Sequence, residues 1–413
     1  MTPATAPLSP RAAWALVLVA TATMAVSYVD RQALAVLAPT VTASLGISNA
    51  RFGDLVSAFS IAYLICTPLA GRFIDGVGAR RGLLVSVLIW STVAAGHAFA
   101  AGFSSLFALR ILLGAAEAPS FPAAAQTVAR ALPPKDRGAG FGILFTGSSL
   151  GAMVAAPLAS MLAVRYGWRW AMVGTAGVGL AWVPLWLLVT GRGAARELLG
   201  GSSPRAREGS AAVPASRFAL LREPAVIRAV CAVLATAPTA TFVLNWGAKV
   251  LVAMHGITQG EVGRYMFLPP LLFDLGAVAF GALATARERR RGRDEPPRLL
   301  FALAALLTGV VAACGLTASP WTTTVVIGVG LAGTGAVFAL LTAELLRRVE
   351  PARAATAGGL TAAAQSLAYI VANPLIGRLS DRRHSFAAVA VGLGLWALPG
   401  TLVWLLWRPA PRR

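Results

Sequence analysis

Residues 299–343 read LLFALAALLTGVVAACGLTASPWTTTVVIGVGLAGTGAVFALLTA, which is 45 residues without a charged side chain. A helix needs about 20 apolar residues to cross the roughly 30 Å hydrocarbon core of a bilayer. The stretch is therefore predicted to cross twice, with a turn at Thr317–Trp321 (TASPW) between the crossings. Other uncharged stretches of 28, 27 and 22 residues begin at Gly82, Gly138 and Trp170. This pattern predicts an all-α polytopic membrane protein.

The composition of the chain excludes the common soluble classes. Of its 413 residues, 57% are hydrophobic and 13% are charged, whereas about 25% of the residues of an average soluble protein are charged. The 36 Lys and Arg residues outnumber the 16 Asp and Glu residues, which gives a formal net charge of +20. Nucleic-acid-binding proteins show such an excess too, but they gather their basic residues on one face or in a tail. Here the basic residues form short groups between long uncharged stretches, so we predict no nucleic-acid partner.

Groups of charged residues and Pro/Gly-rich turns divide the chain into twelve predicted transmembrane spans. The spans are 12–38, 52–71, 82–101, 104–128, 138–163, 170–190, 227–253, 263–285, 299–317, 322–345, 354–376 and 387–407. The loops on the side of both termini hold 25 Lys and Arg residues, and the opposite loops hold 7. Because Lys and Arg accumulate in cytoplasmic loops, we expect both termini in the cytoplasm. The first span is expected to be retained, since no signal-peptide cleavage site follows it.

The two halves of this predicted helix set resemble each other. An offset of 217 residues places six residues of the fifth span on identical residues of the eleventh, beginning with Ser149 on Ser366. We therefore predict two six-helix repeats, an N-terminal half over 1–190 and a C-terminal half over 226–413, joined by a cytoplasmic linker at 191–225. Such repeats are typical of transporters that rock two halves around a site near the middle of the membrane.

The segment at 71–82, after the second span, reads GRFIDGVGARRG. It resembles the signature loop of the major facilitator superfamily, in which an acidic and several basic side chains latch helix ends in one conformation. The resemblance assigns this latch to Gly71, Asp75, Arg80 and Arg81. At Gly76 the family usually has Arg or Lys, so we expect a weakened latch.

Four further segments narrow the resemblance. They are YVDRQALAVLAP (28–39), RILLGAAEAPSFPAA (110–124), LPPKDRGAGFGILFTGSSLGAMVAAPL (132–158) and YGWRWA (166–171). They are similar to the anion:cation symporter family of that superfamily, and most similar to its bacterial hexuronate transporters. The resemblance implies the superfamily fold of twelve transmembrane helices, a location in the bacterial inner membrane and an organic-anion substrate. After Trp246 the chain lacks the bulky residue and proline usual in the family, so we expect a drift in substrate specificity.

Charged side chains inside the predicted spans are the leading site candidates. A charge at the bilayer centre costs about 2.5 to 3.5 kcal/mol on insertion scales, so its presence points to a function. Arg110 and Glu117 are seven residues apart and share one helical stripe with Gly114, which is expected to open space beside them. Counted from the outer ends of their spans, Asp30, Arg31 and Arg110 lie within about 5 Å of a common depth.

Two interpretations of these four charges remain open. Either they are structural pairs, Asp30 with Arg110 and Glu117 with either Arg, or they form an anion site. In an anion site, Arg grips a substrate carboxylate through two hydrogen bonds, and a carboxylate that loses its Arg partner takes up a proton. The family resemblance implies that Asp30 is a proton site, Arg31 the substrate anchor, Arg110 an internal counter-ion and Glu117 a second proton site.

Other polar residues in the spans each have two interpretations. Tyr28 hydrogen-bonds the substrate or packs, and Lys249 contacts the substrate or reaches the headgroup region. Asp274 serves helix packing or ion coupling. His97 is expected at the membrane interface. Three amides are candidates for hydrogen bonds to sugar hydroxyls, although helix contacts use amides as well; they are Asn245, Gln365 and Asn373.

We therefore predict a secondary transporter that imports an organic anion, a hexuronate or a related sugar acid or monocarboxylate, with protons by alternating access. The predicted partners are this small anion, protons and the lipid bilayer, and the predicted protein is a monomer without cofactor or metal. An exporter or exchanger of other organic anions or drugs is the first alternative. A non-transporting membrane sensor or a membrane-embedded enzyme is the second, and no P-loop or dinucleotide fingerprint supports it.

Overall fold

The computed structural model describes residues 8–191, 193–201, 220, 222–291, 297–349 and 351–407, and this part of the chain is helical without a strand. Residues 192, 202–219 and 221 of the predicted linker lie outside it. The α-helices, numbered in chain order, are α1 Pro10–Ser44, α2 Asn49–Val77, α3 Ala79–Gly96, α4 Phe103–Glu117, α5 Ser120–Ala131, α6 Arg137–Thr190, α7 Gly193–Gly200, α8 Pro224–Thr241, α9 Gly247–His255, α10 Gln259–Met266, α11 Leu268–Arg291, α12 Arg298–Gly309, α13 Pro320–Arg348, α14 Pro351–Arg383 and α15 Phe386–Leu406. Turns of 3₁₀ helix follow α3 (His97–Phe99) and α12 (Val310–Leu316), and a π-helical segment, Phe242–Trp246, joins α8 to α9.

Eleven helices or helix pairs in the described residues are long and apolar enough to cross a membrane. One of them, α6, has 54 residues; its length of about 81 Å is more than twice the thickness of the hydrocarbon core. The α6 backbone breaks at Gly167, where φ is 84° and ψ is 162°, a conformation that glycine adopts without strain. The two parts of α6 match predicted spans five and six. The predicted all-α fold with twelve crossing segments is thus confirmed.

The turn predicted inside the long uncharged stretch is confirmed by the start of α13. The Ser319 hydroxyl oxygen accepts a hydrogen bond from the backbone N–H of Thr322 over 3.2 Å, and Pro320 is the first residue of the helix. A Ser side chain satisfies an N–H group that the first helical turn leaves unpaired, and Pro fits at the first position because its missing N–H is not needed there. The TASPW segment therefore ends one crossing and begins the next.

The described chain forms two compact units, and the first comprises Met1–Val41 and Ala58–Ala211. Its apolar core contains the fully buried Trp90 and Trp186. Trp186 stacks on Trp182 with ring centroids 5.1 Å apart and donates a hydrogen bond from Nε1 to a backbone carbonyl. The large rings are therefore buried without leaving the indole N–H of Trp186 unpaired.

Close contact between α1 and α6 in this unit depends on glycine. A Cβ atom at Gly147 would lie 2.4 Å from the carbonyl oxygen of Thr21, and one at Gly151 would lie 2.2 Å from that of Ala25. Both distances are far below a van der Waals contact, so a side chain at either position would force the helices apart. The GSSLG segment at 147–151 therefore packs one helix against another.

The second unit comprises Thr42–Ser57 and Ala212–Arg413. In its core Phe301 and Trp404 stack with centroids 3.7 Å apart and planes inclined by 11°. Trp404 also donates from Nε1 to Glu344 over 2.9 Å. The core of this unit therefore combines an aromatic stack with a buried carboxylate.

The segment that connects α1 to α2 belongs to the second unit, whereas the predicted halves are continuous in sequence. The Asp381 carboxylate accepts hydrogen bonds from the backbone N–H groups of Asn49 (3.2 Å) and Ala50 (2.8 Å). A negative charge at a helix N-terminus satisfies its unpaired N–H groups and complements its dipole. A Cβ at Gly53 would also lie 2.3 Å from the carbonyl oxygen of Asn373. Capping and close backbone packing together explain this grouping.

Candidate functional site

A buried ion pair joins α1 to α4 inside the first unit. Nε of Arg31 donates to Oε2 of Glu117 over 2.6 Å, and the hydroxyl of Ser27 donates to the same oxygen over 2.7 Å. Of the two pairings open to Glu117 in the sequence, the structure shows the one with Arg31. The Glu117 side chain has no exposed surface, whereas 16% of the Arg31 side chain is exposed. An anion from solvent can therefore reach Arg31 without first meeting Glu117.

Three aromatic rings surround the guanidinium of Arg31. Its Cζ atom lies 5.0 Å from the ring centroid of Tyr28, 4.9 Å from that of Phe59 and 4.5 Å from that of Tyr63. Aromatic faces attract a cation and limit its contact with water. The structure thus brings Tyr28 to Arg31, and it adds Phe59 and Tyr63, which the sequence analysis missed. Their four-residue spacing on α2 indicates a common face, but no sequence signal says which helix that face contacts.

Gly114 controls how closely α2 approaches α4. A Cβ at this position would lie 2.4 Å from the carbonyl oxygen of Phe59. The expectation that Gly114 opens space beside the charges is therefore wrong, because the α2 backbone fills that space. The close approach lets the Phe59 ring lie 4.7 Å from the Cζ of Arg110 as well as 4.9 Å from that of Arg31. One ring therefore contacts both cations.

Asp30 and Arg110 do not form the hydrogen-bonded pair that the structural interpretation predicts. Both are buried, with 4% and 3% of their surface exposed, and both line one small cavity. The indole N–H of Trp90 is a side-chain donor that faces Asp30. Within the described residues, however, no hydrogen bond of normal length and angle reaches either Asp30 oxygen, and the same holds for Nε and Nη1 of Arg110. The Arg110 guanidinium instead packs on the ring of Phe59.

His97, which was predicted at the membrane interface, lines the same cavity. Only 2% of its surface is exposed. The 3₁₀ turn after α3 carries the imidazole into the interior, while Phe99, at the end of this turn, is 84% exposed. Nδ1 of His97 lies 2.9 Å from the carbonyl oxygen of Val93. A buried imidazole thus faces the buried Asp30 and Arg110, a grouping that the sequence spacing does not reveal.

The candidates of the second unit fall into separate contacts. Nζ of Lys249 donates to Oγ1 of Thr42 over 2.7 Å and lies 5.4 Å from the ring centroid of Phe52. Nε2 of Gln365 donates to the hydroxyl of Tyr369 over 3.1 Å. Lys249 and Gln365 are each partly exposed, so both retain surface that a ligand could contact.

Asn373 is fully buried and bound on both sides of its amide. Its Oδ1 accepts from Nε1 of Trp246 (2.9 Å) and from the hydroxyl of Thr241 (3.0 Å), and its Nδ2 donates to the carbonyl of Tyr369 (2.7 Å). Asn245 donates to the same Thr241 hydroxyl over 3.0 Å. Because Thr241 precedes the π-helical segment and Trp246 ends it, Asn373 stabilises this irregular turn and thereby positions Asn245.

The predicted latch residues lie where α2 meets α3. The expected loop is only one residue long, Gly78 with φ of 86°, because α2 continues to Val77. Gly71 lies inside α2, and Arg81 is exposed. The Asp75 carboxylate accepts a hydrogen bond from Nε2 of Gln126 over 2.9 Å. Arg80 donates a hydrogen bond from Nε to the backbone carbonyl of Thr190 over 2.9 Å. Asp75 and Arg80 thus hold this junction to two other helices of the first unit.

Two further charged positions of the second unit have different surroundings. Asp274 is half-buried within α11. Glu344 is buried and accepts from Nη1 of Arg228 over 3.1 Å and from Nε of Arg348 over 3.0 Å. Glu344 thus pairs with an Arg of its own helix end, four residues further along α13. The contact with Arg228 was missed, because it joins α8 to α13.

Comparison with known proteins identifies the family. The family model of the Major Facilitator Superfamily matches residues 20–368. The chain belongs to this superfamily. Two solved structures of transporters share the fold: a bacterial homolog of the human lysosomal transporter Spinster (TM-score 0.79, 18% identity, 98% of this chain and 100% of that chain) and the nucleoside transporter NupG (TM-score 0.72, 13% identity, 95% and 98%).

Curated members of the superfamily are similar along nearly the whole chain. The D-galactonate transporter of Escherichia coli O6:H1 (strain CFT073) is 27% identical over 403 residues, which are 93% of each chain. The hexuronate transporter of Escherichia coli (strain K12) is 26% identical over 405 residues, 94% of this chain and 92% of the relative. The resemblance to sugar-acid transporters of the Major Facilitator Superfamily is thus confirmed, and this member is a transporter and not an enzyme.

Proposed function

We propose that this protein imports a hexuronate or a related sugar acid together with protons by alternating access. The observation that carries the proposal is the Arg31 guanidinium, which is partly exposed, surrounded by aromatic rings and hydrogen-bonded to Glu117 through Nε. Nη2 of Arg31 is buried and has no hydrogen-bond partner within the described residues. This nitrogen offers a hydrogen-bond donor to a substrate carboxylate, which then competes with Glu117 for the positive charge of the guanidinium.

The charge balance of the site supports coupling to protons. With both acids ionised, Asp30 and Glu117 cancel Arg31 and Arg110, so the formal sum is zero. A bound monocarboxylate changes the sum to −1, and a net charge away from water is costly. One proton taken up with each carboxylate restores zero.

Glu117 is the acid that senses the substrate most directly. A carboxylate that binds Arg31 competes with Oε2 of Glu117 for the same guanidinium. When this contact weakens, the fully buried Glu117 retains only Ser27 as a hydrogen-bond donor to that oxygen. Burial then favours the neutral acid, and the substrate thereby promotes proton uptake.

The names of the similar proteins support a sugar acid as the substrate class, since they specify D-galactonate and hexuronate. Lys249, Asn245 and Gln365 are proposed to contact the sugar part, and Asn373 to act through the π-helical segment. The latch residues Gly71, Asp75, Arg80 and Arg81 are proposed to stabilise one conformation of the cycle. The excess of basic residues in one set of loops supports cytoplasmic termini in a bacterial inner membrane, and we propose a monomer.

A thermal-shift screen of the purified protein tests the substrate class, because a ligand that binds the folded state raises its Tm. Galacturonate, glucuronate and galactonate should raise the Tm, whereas neutral galactose, which lacks the carboxylate, should not. Arg31→Ala should abolish both the shift and uptake into proteoliposomes. Full-rate uptake by Arg31→Ala would refute the anchor assignment, and exchange without net proton-driven accumulation in wild type would favour an exchanger.

A further inference from the structure

A small cavity inside the first unit is lined by polar residues from three elements. Asp30 comes from α1, His97 from the turn after α3 and Arg110 from α4, and α6 adds the side chains of Met172 and Thr175. The volume of this cavity that is open to the centre of a water molecule is about 10 Å³, which is enough for about one water. The cavity is therefore of the size of a single solvent molecule and much smaller than a sugar.

The polar atoms around this cavity lack partners in the described protein. They are both oxygens of Asp30, Nε2 of His97, and Nε and Nη1 of Arg110. All three side chains are more than nine-tenths buried. A buried polar atom without a hydrogen bond costs about 1 to 3 kcal/mol, and more when it is charged. Five such atoms around one cavity indicate a small ligand that both donates and accepts hydrogen bonds.

The tautomer of His97 defines which bonds this ligand makes. Nδ1 faces the carbonyl oxygen of Val93 over 2.9 Å, and because a carbonyl only accepts, Nδ1 must carry the hydrogen. In the neutral ring Nε2 is then an acceptor. The cavity thus offers a donor in Arg110 and acceptors in Asp30 and His97. A water molecule that accepts one hydrogen bond and donates two matches this set.

We propose that one water, held by Arg110, Asp30 and His97, is the group through which Asp30 gains and loses its proton. An excess proton on this water passes to an Asp30 oxygen as one O–H bond of the hydronium breaks and a carboxylic O–H bond forms; release to solvent is the reverse. His97 is a positioning residue that acts through the water. The inference rests on the proton coupling of the proposed function and adds the route of the proton.

The charges facing Asp30 come from the elements packed around it. Arg110 and Glu117 belong to α4, the neutral His97 follows α3, and Arg31 is the next residue along α1. The α6 residues that line the cavity are uncharged. Loss of the water would leave the indole N–H of Trp90 as the neutral donor that faces the ionised Asp30. With one donor fewer, the neutral acid would be favoured and the proton would be held more tightly.

Hydroxyl-radical footprinting detects this water directly, because radicals formed from a bound water oxidise the side chain beside it. Met172 is 3% exposed and lines the cavity, while Met24 is 5% exposed and does not. In wild type, Met172 should be oxidised well above Met24. In His97→Leu it should fall to the level of Met24, and His97→Gln, whose amide oxygen accepts in place of Nε2, should restore it.

The pH profile of sugar-acid uptake into proteoliposomes tests the route. The midpoint of this profile should rise by about one pH unit in His97→Leu, which corresponds to a tenfold gain in the proton affinity of Asp30. In His97→Gln the midpoint should return to the wild-type value. His255, which contacts the hydroxyl of Thr323 in the second unit, is the matched control, and His255→Leu should change neither readout. Equal oxidation of Met172 and Met24 in wild type, or an unchanged midpoint in a folded His97→Leu, overturns the inference. If wild type moves no protons with the substrate, the proposed function fails, while the footprint still reports on the water.

Discussion

The Glu117→Gln substitution tests how the Arg31–Glu117 pair links substrate binding to a proton. Gln has the size of Glu and keeps an oxygen for Ser27 and Arg31, but it carries no charge and takes up no proton. In wild type, a substrate carboxylate competes with the Glu117 charge for the guanidinium. In the variant the competitor is a neutral amide, so the anion should bind more tightly.

The contact geometry gives the size of this effect. At 2.6 Å, the bond from Arg31 to Glu117 is a short, charge-assisted hydrogen bond. Such bonds contribute about 1.5 to 3 kcal/mol, and bonds between neutral groups about 0.5 to 1.5 kcal/mol. Replacing the carboxylate by an amide therefore weakens the competitor by about 1.2 kcal/mol, the difference between the middles of these ranges, and the Kd for galacturonate should fall about eightfold. The part of the pH dependence of binding that comes from Glu117 should disappear, since Gln does not titrate.

Isothermal titration calorimetry at acidic and alkaline pH measures the Kd, and proteoliposomes measure transport. The variant should retain counterflow, which needs no net proton movement, and lose accumulation driven by a proton gradient. Glu344→Gln is the matched control, because this buried carboxylate also contacts an Arg but lies in the second unit; its folded fraction should keep the wild-type Kd. A Kd that rises for Glu117→Gln, or accumulation at the wild-type level, would refute the competition.

Three further predictions concern packing, a buried charge and topology. Gly147→Ala should lower the Tm in detergent, since the added Cβ would lie 2.4 Å from the Thr21 carbonyl oxygen. Gly142→Ala is the control and should keep the wild-type Tm, because a Cβ there has no atom within 4 Å. Equal Tm values for the two variants would contradict the packing role of Gly147. Glu344→Ala should destabilise the protein by about 3 to 5 kcal/mol, because it leaves Arg228 buried without its carboxylate; a wild-type unfolding curve would contradict this. A fluorescent or phosphatase reporter at the C-terminus should indicate the cytoplasm, and a periplasmic signal would reverse the topology.

Much of the fold could be predicted because the hydrocarbon core imposes a length and an apolar composition on every crossing segment. The TASPW turn follows from Ser and Pro at the start of α13, since both act on the first helical turn alone. Charges inside the membrane are rare and costly, so Asp30, Arg31, Arg110 and Glu117 are conspicuous in the sequence. These predictions depend on the chemistry of a single helix end or on the apolar environment of the bilayer. Neither kind of prediction requires knowledge of which helices are in contact.

The pairing of the site residues was decided by tertiary structure. Helical spacing shows which residues share a face of one helix, but the partner of that face depends on how closely two helices approach. At Gly114 the missing side chain lets α2 close on α4, which places Phe59 between two cations. Glu117 thereby pairs with Arg31, and Asp30 faces Arg110 and His97 across a cavity. The position of each charge along the chain therefore predicts that it enters the membrane, whereas helix packing selects the charges that come into contact.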